Sequence, residues 1–176
     1  METRIFVTGG SGFIGSAFLR QALQAGHHVQ VLSRSAGSAE RARRQGAEAI
    51  AGDLNAPGPW PESAAQAPVV LHLAQPETYG TKVTRQHAEH FRAQRLQMDA
   101  NLLDSLRPGT LEKLIYIAGT SYYGNQGDRL VDEDTTPHPI GWGPYIGPAI
   151  EALSGYLARG LPVVQVFPAW VYGPGS

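Results

Sequence analysis

Four glycines stand close together near the start of the chain, Gly9, Gly10, Gly12 and Gly15, directly after the apolar run Ile5-Phe6-Val7. The next stretch, Phe13–Ala25, carries Phe13, Ile14, Phe18, Ala22 and Leu23 at helical spacing. Strand, glycine turn and helix in that order can bind an anion. The first amides of a helix lack acceptors and carry about half a positive charge, and glycines let a phosphate come close. In a strand–turn–helix unit the matching ligand is the pyrophosphate of a dinucleotide. The same glycines also serve a tight turn with no ligand. A P-loop is excluded, because Thr8–Gly15 lacks the closing Lys-Ser/Thr pair.

The end of the second strand, His28–Ser33, is the next position where residue type bears on chemistry. NAD-selective proteins with this turn place a carboxylate there, on the ribose 2′-hydroxyl. This chain has Ser33-Arg34 instead. Arg34 can meet a 2′-phosphate with a forked, charge-assisted bond, and Ser33 adds a hydroxyl. The expected cofactor is therefore NADP, with NAD as the alternative; a solvated loop charge is the plainer use of Arg34. Arg41 and Arg44, on a polar helix over Ser38–Gln45, are further candidates for the 2′-phosphate.

Other chemistries find little support. The chain has no cysteine, so no thiolate nucleophile or Cys-based metal site is available. His27 and His28 are adjacent and lack partners at ligand spacing, so no metal site is expected. No serine sits in a G-x-S-x-G elbow. A net charge of −1 over 176 residues gives no bulk attraction to nucleic acid or a membrane surface. No apolar run is long enough to span a bilayer, and Met1–Arg4 runs straight into a strand with no signal peptide. A soluble cytoplasmic protein is the expectation.

The elements that must position these residues alternate. Strands are expected at Ile5–Val7, His28–Ser33, Ala47–Ala51, Val69–Leu73, from Leu114, and at Leu161–Phe167. A turn and short helix fall in Asn55–Pro68, and long helices over Thr84–Arg107 and Tyr145–Leu157. In the longest helix Phe91, Met98, Leu102, Leu103 and Leu106 form the packed stripe, with Arg85, Arg92 and Arg95 facing elsewhere. His72 is a packed core histidine. This alternation implies an α/β fold: a doubly wound parallel sheet of order 3-2-1-4-5-6 between helix layers, a Rossmann fold with ligand at the first-to-fourth strand switch point.

The spacing TGxxGxxG over Thr8–Gly15 resembles the short-chain dehydrogenase/reductase superfamily. Later stretches narrow the resemblance to its extended branch, the NAD-dependent epimerase/dehydratase group. Asp53-Leu54 resembles the pair that meets the adenine, although Asp53 also reads as a turn or cap residue. Leu114–Gly124 resembles YISSxSVYG, and Pro168–Gly175 resembles the RPxxVYGPG loop over the nicotinamide. The resemblance implies cofactor contacts from Gly9, Ser11, Gly12, Phe13, Ile14 and Gly15 in the turn, and from Ser33 and Arg34 beyond it. It adds Asp53, Leu54, Leu73, Ala74, Gln75, Ala118, Tyr145, Pro168 and Val171.

The family's chemistry moves a hydride to or from nicotinamide, with a Tyr passing the proton, a Lys four residues later, and a Ser or Thr orienting the substrate oxygen. Tyr145 holds the Tyr position, but the Lys position is Ala149. The hydroxyl position is Gly119, followed by Thr120 and Ser121, and the usual strand-six Arg is Phe167. Tyr145, Thr120 and Ser121 are thus the catalytic candidates; a structural ring and turn-forming hydroxyls are their other uses. Bringing a Tyr from ~10 to ~7 takes roughly 4 kcal/mol of differential stabilisation, and Ala149 supplies no charge toward it. Two readings follow: an atypical NADP-linked oxidoreductase or epimerase on a carbonyl or nucleotide-sugar-like substrate, or a dinucleotide-binding sensor without a proton relay. The chain stops just after the nicotinamide loop, so one cofactor domain is expected over residues 1–176, with the family's smaller substrate domain largely missing. A homodimer through the two long helices is a further expectation.

Overall fold

The computed structural model describes residues 2–77 and 84–174. Six parallel strands form one sheet: β1 Arg4–Thr8, β2 His28–Ser33, β3 Glu48–Ala51, β4 Val69–His72, β5 Lys113–Ile117 and β6 Val163–Val166. Their order is β3-β2-β1-β4-β5-β6, as the alternation requires. The register pairs Val7 with Val31 on one side and Leu71 on the other, so β1 lies at the centre, where the winding reverses. Its apolar run Ile5-Phe6-Val7 is buried from both faces, as a central parallel strand should be.

Among the described residues the helices are α1 Phe13–Gln24, α2 Ala36–Arg44, α3 Trp60–Ala65, α4 Arg85–Ser105 and α5 Gly143–Ala158, with a 3₁₀ turn at Thr120–Tyr122. One face of the sheet packs Phe6, Val70, Leu114 and Tyr116 against Trp60, Met98, Leu102 and Leu153 from α3, α4 and α5. The other packs Val7, Val29, Val31 and Leu71 against Leu19, Ala22 and Ala42 from α1 and α2. None of the described helices is long and apolar enough to cross a membrane.

Three local departures from expectation matter for the site. Helix α2 starts earlier than Ser38, because Ser35 and Ser38 form a reciprocal capping box that fixes its first turn. Helix α5 starts two residues before Tyr145, with Trp142 as N-cap and Pro144 in the first turn. Arg95 does not face outward. It is 3% exposed, in phase with Ala88, Phe91, Met98 and Leu102 along the buried side of α4.

Candidate functional site

The turn after β1 is built by close approach. Gly9 has φ +71°, and a Cβ there would stand 2.8 Å from the Ala74 nitrogen. A Cβ on Gly15 would overlap the Gly9 carbonyl oxygen and stand 2.6 Å from the Gly10 Cα. The two glycines let the start of α1 close on the end of β1. Gly12 caps the helix without a side-chain bond, and no acidic residue occupies the first turn. Its amide donates to the Gly9 carbonyl at 3.1 Å, and its carbonyl accepts from Ser16 at 2.8 Å. Among the described residues the Phe13 and Ile14 amides find no acceptor. The arrangement is a bare, partly positive helix start at the carboxyl ends of the strands.

Two cavities meet over this turn, both bordered by Gly9, Gly12, Leu73 and Gln75. The first, about 530 Å³, lies toward β2 and β3 and is lined by Ser11, Arg34, Asp53, Leu54 and Ala74. The second, about 890 Å³, lies toward β5 and β6 and is lined by Phe13, Ile14, Gly15, Ala118, Pro168 and Val171. Ile14 is 38% exposed and borders this cleft. One cavity on each side of a phosphate-sized cradle suits a ligand with two nucleoside halves.

In the first cavity Arg34 donates through Nη2 to Glu77 Oε1 at 3.2 Å. Ser35, Ser38 and Arg41 line the same wall, whereas Ser33 is 4% exposed and points its hydroxyl at the Val31 carbonyl, 3.4 Å away. Ser33 has the strand parity of Val29 and Val31, so its side chain turns into the core. The serines that reach the cavity are those of the α2 cap. Asp53 accepts from the Asn55 amide at 2.8 Å, a turn bond, while bordering the cavity. Leu54 is 3% exposed and belongs to the core beneath it.

The second cleft is lined by Thr120 and Ser121 together with Ala118, Trp142 and Trp170. Tyr145 does not join them: it is not among the lining residues, and its ring lies against Trp142 with centroids 6.1 Å apart. The residue that α5 turns toward Gly119 is Ile146, whose Cδ1 is 3.7 Å from where a Cβ on Gly119 would be. Ala149 is 2% exposed and outside the cleft. Phe167 stacks with Tyr122, centroids 5.9 Å apart, and meets Tyr123 edge-on, centroids 5.0 Å apart. Partial burial first, then nearby Glu151, pushes the Tyr122 hydroxyl above its usual range.

Beneath both cavities lies a buried polar cluster that the sequence did not reveal as one. The Thr8 hydroxyl is 2.7 Å from His72 Nδ1, and His72 Nε2 is 2.8 Å from Asp99 Oδ1. Asp99 Oδ2 accepts from Arg95 Nε at 2.9 Å and from the Tyr116 hydroxyl. Burial lowers the His72 pKa below its usual value, only partly offset by Asp99, so the ring is neutral. It donates from Nε2 to the carboxylate and accepts the Thr8 hydroxyl at Nδ1. Burial alone would raise the Asp99 carboxyl, but the His72 bond and the Arg95 charge outweigh it and hold it below the usual range. The available signal was the phase of Arg95 and Asp99 within the buried stripe of α4.

Fold and crevice together define a Rossmann protein of the dinucleotide-binding type. The chain belongs to the NAD dependent epimerase/dehydratase family, whose pattern matches residues 5–175. It is 28% identical, over 97% of its length and 51% of the relative's, to 4-hydroxy-2-methyl-3-oxo-4-farnesyl-3,4-dihydroquinoline-1-oxide ketoreductase of Stigmatella aurantiaca. An uncharacterized protein of Schizosaccharomyces pombe is 30% identical over 77% of this chain and 44% of its own. Among solved structures, UDP-glucuronic acid 4-epimerase from Bacillus cereus in complex with NAD superposes with TM-score 0.77 and 25% identity, over 97% of this chain and 57% of that one. UDP-glucose 4-epimerase from Thermotoga maritima, TM-score 0.76 and 22% identity over 97% of this chain and 57% of that one, shares the fold. The chain spans about half the length of the curated relatives it matches.

Proposed function

We propose that residues 1–176 form one nucleotide-binding unit that takes NADP(H), in an atypical cytoplasmic oxidoreductase or epimerase acting on a carbonyl or nucleotide-sugar-like substrate. The observation that carries this reading is the bare helix start between two cavities. The protein fits the cofactor because a Cβ at Gly9 or Gly15 would collide within the cradle, whereas Gly12 leaves its ligand side open. The Phe13 and Ile14 amides hold the pyrophosphate, Asp53 and Leu54 border the adenine, and Ala118, Pro168 and Val171 border the nicotinamide. Arg34, Arg41, Ser35 and Ser38 favour a 2′-phosphate, because no carboxylate follows β2 directly and two guanidiniums line that wall. When bound, the nicotinamide supplies a hydride donor or acceptor. Thr120 and Ser121 orient a substrate oxygen in the cleft. The substrate class draws on the named relatives, a ketoreductase and two UDP-sugar epimerases.

A second reading is favoured by α5. Tyr145 lies outside the cleft and Ala149 brings no charge, so the same cradle can serve a sensor that binds the dinucleotide without turning it over. A homodimer through α4 and α5 belongs to either reading and is measured by light scattering. Calorimetric titration with NADPH and NADH, followed by NADPH oxidation with carbonyl and UDP-sugar substrates, tests the proposal. Tighter NADPH with turnover supports the enzyme, and tight binding without turnover supports the sensor. Binding of neither nucleotide overturns both.

A further inference from the structure

The buried cluster beneath the cavities has an outlet that its internal bonds do not explain. Besides its bond to Asp99, the Arg95 guanidinium donates from Nη1 to the Ala74 carbonyl and from Nη2 to the Ile117 carbonyl, each at 3.4 Å. Ala74 follows β4 and lines the first cavity; Ile117 ends β5 and lines the second. The Ala74 amide is fixed as well, donating to the Thr8 hydroxyl at 3.2 Å. Arg95 also lies over the Tyr116 ring, 4.8 Å from its centroid. One planar fork thus ties α4 to one wall of each cavity, and Asp99, His72 and Thr8 lock that fork to the end of β1.

We propose that Arg95 is a positioning residue for the dinucleotide: neutralised by Asp99, it holds the main chain after β4 and the end of β5 in the spacing that makes the two cavities one crevice. The inference rests on the reading that the crevice takes a dinucleotide. A buried ion pair is weak support for stability, since apolar replacements of similar volume often leave a fold as stable or more so. Its cost is explained if the pair is kept for geometry. A lysine cannot take over, because a single ammonium does not present the fixed fork that reaches Asp99, Ala74 and Ile117 together.

Two variants test this. Arg95→Lys keeps the charge and the Asp99 partner but loses the fork. Arg95→Met with Asp99→Asn removes both charges together and leaves an acceptor for His72. Melting temperature, amide hydrogen exchange at Ala74 and Ala118, and calorimetric affinity for NADPH and for ADP are measured on each and on the native protein. The proposal expects both variants to fold, to exchange those two amides faster, and to bind NADPH about ten-fold more weakly, the equivalent of one lost hydrogen bond to a charged group. ADP, which occupies one cavity, should lose less than NADPH. Variants that fold and bind NADPH like the native protein overturn the inference. Loss of the fold in both overturns it too, since the cluster would then be a folding element. If the native protein binds neither nucleotide, it is the dinucleotide reading that fails.

Discussion

Replacing Gly12 by alanine separates the ligand's demand for glycine from the protein's. Gly12 has φ −79° and ψ −179°, which alanine adopts freely. Among the described residues, and beyond its own chain neighbours and helix backbone, an added Cβ would meet the Gly9 carbonyl oxygen at 3.3 Å. The fold therefore has room for the methyl. Alanine is a poorer N-cap, which costs up to about 1 kcal/mol, or about 2–4 °C in Tm for a chain of this size. Binding should suffer far more, because Gly12 borders both cavities and its methyl would stand between a phosphate and the Phe13 and Ile14 amides. One charge-assisted hydrogen bond is worth about 1.5–3 kcal/mol, so the dissociation constant of NADPH should rise about 10- to 150-fold. Calorimetry gives the affinity, and thermal melting of the free protein gives the stability. Gly15→Ala is the comparison: its Cβ meets backbone at 2.6 Å, so it should cost the free protein about 1–3 kcal/mol as well as weakening binding. Gly12→Ala binding NADPH as tightly as the native protein would refute the cradle.

Three further outcomes follow from the same geometry. Ala149→Lys places an unpaired ammonium at a position 2% exposed and outside the cleft, so thermal melting should show a loss of roughly 3 kcal/mol or more, with no gain in NADPH oxidation. Arg34→Ala should weaken NADPH about ten-fold by calorimetry and leave NADH nearly unchanged, while Glu77→Gln, which frees Arg34 from its 3.2 Å partner, should tighten NADPH. His72 is neutral in the fold because burial lowers its pKa below 6.5, whereas the unfolded chain protonates it under that value. The folded state then binds fewer protons, so stability should be flat above about pH 6.5. Below it the His72 contribution should be lost as pH falls, at no more than about 1.4 kcal/mol per pH unit, measured by urea unfolding, and His72→Gln should flatten that slope.

The fold was legible because its signals are local. Apolar runs separated by helical stripes give a parallel sheet, and the glycines of Thr8–Gly15 announce the crevice before any contact is known. Three features were not legible as read. Tyr145 sits where the family's motif places a proton donor, but its ring lies against Trp142 and does not line the cleft, and the packing that turns α5 this way is not written in the motif. Ser33 looked available as a strand-end hydroxyl, although its parity with Val29 and Val31 already pointed it inward. Arg95 looked like one more solvated charge on a polar helix. Besides Asp99 on its own helix, its partners are the carbonyls of Ala74 after β4 and Ile117 on β5, 21 and 22 residues away in sequence, so only the folded chain brings them together.

The most direct measurement is a crystal structure grown with NADPH. The account predicts pyrophosphate oxygens within hydrogen-bonding distance of the Phe13 and Ile14 amides, the 2′-phosphate against Arg34, and the nicotinamide beside Ala118 and Val171. Nucleotide bound elsewhere, or a turn whose amides stay unliganded at saturating NADPH, would contradict it.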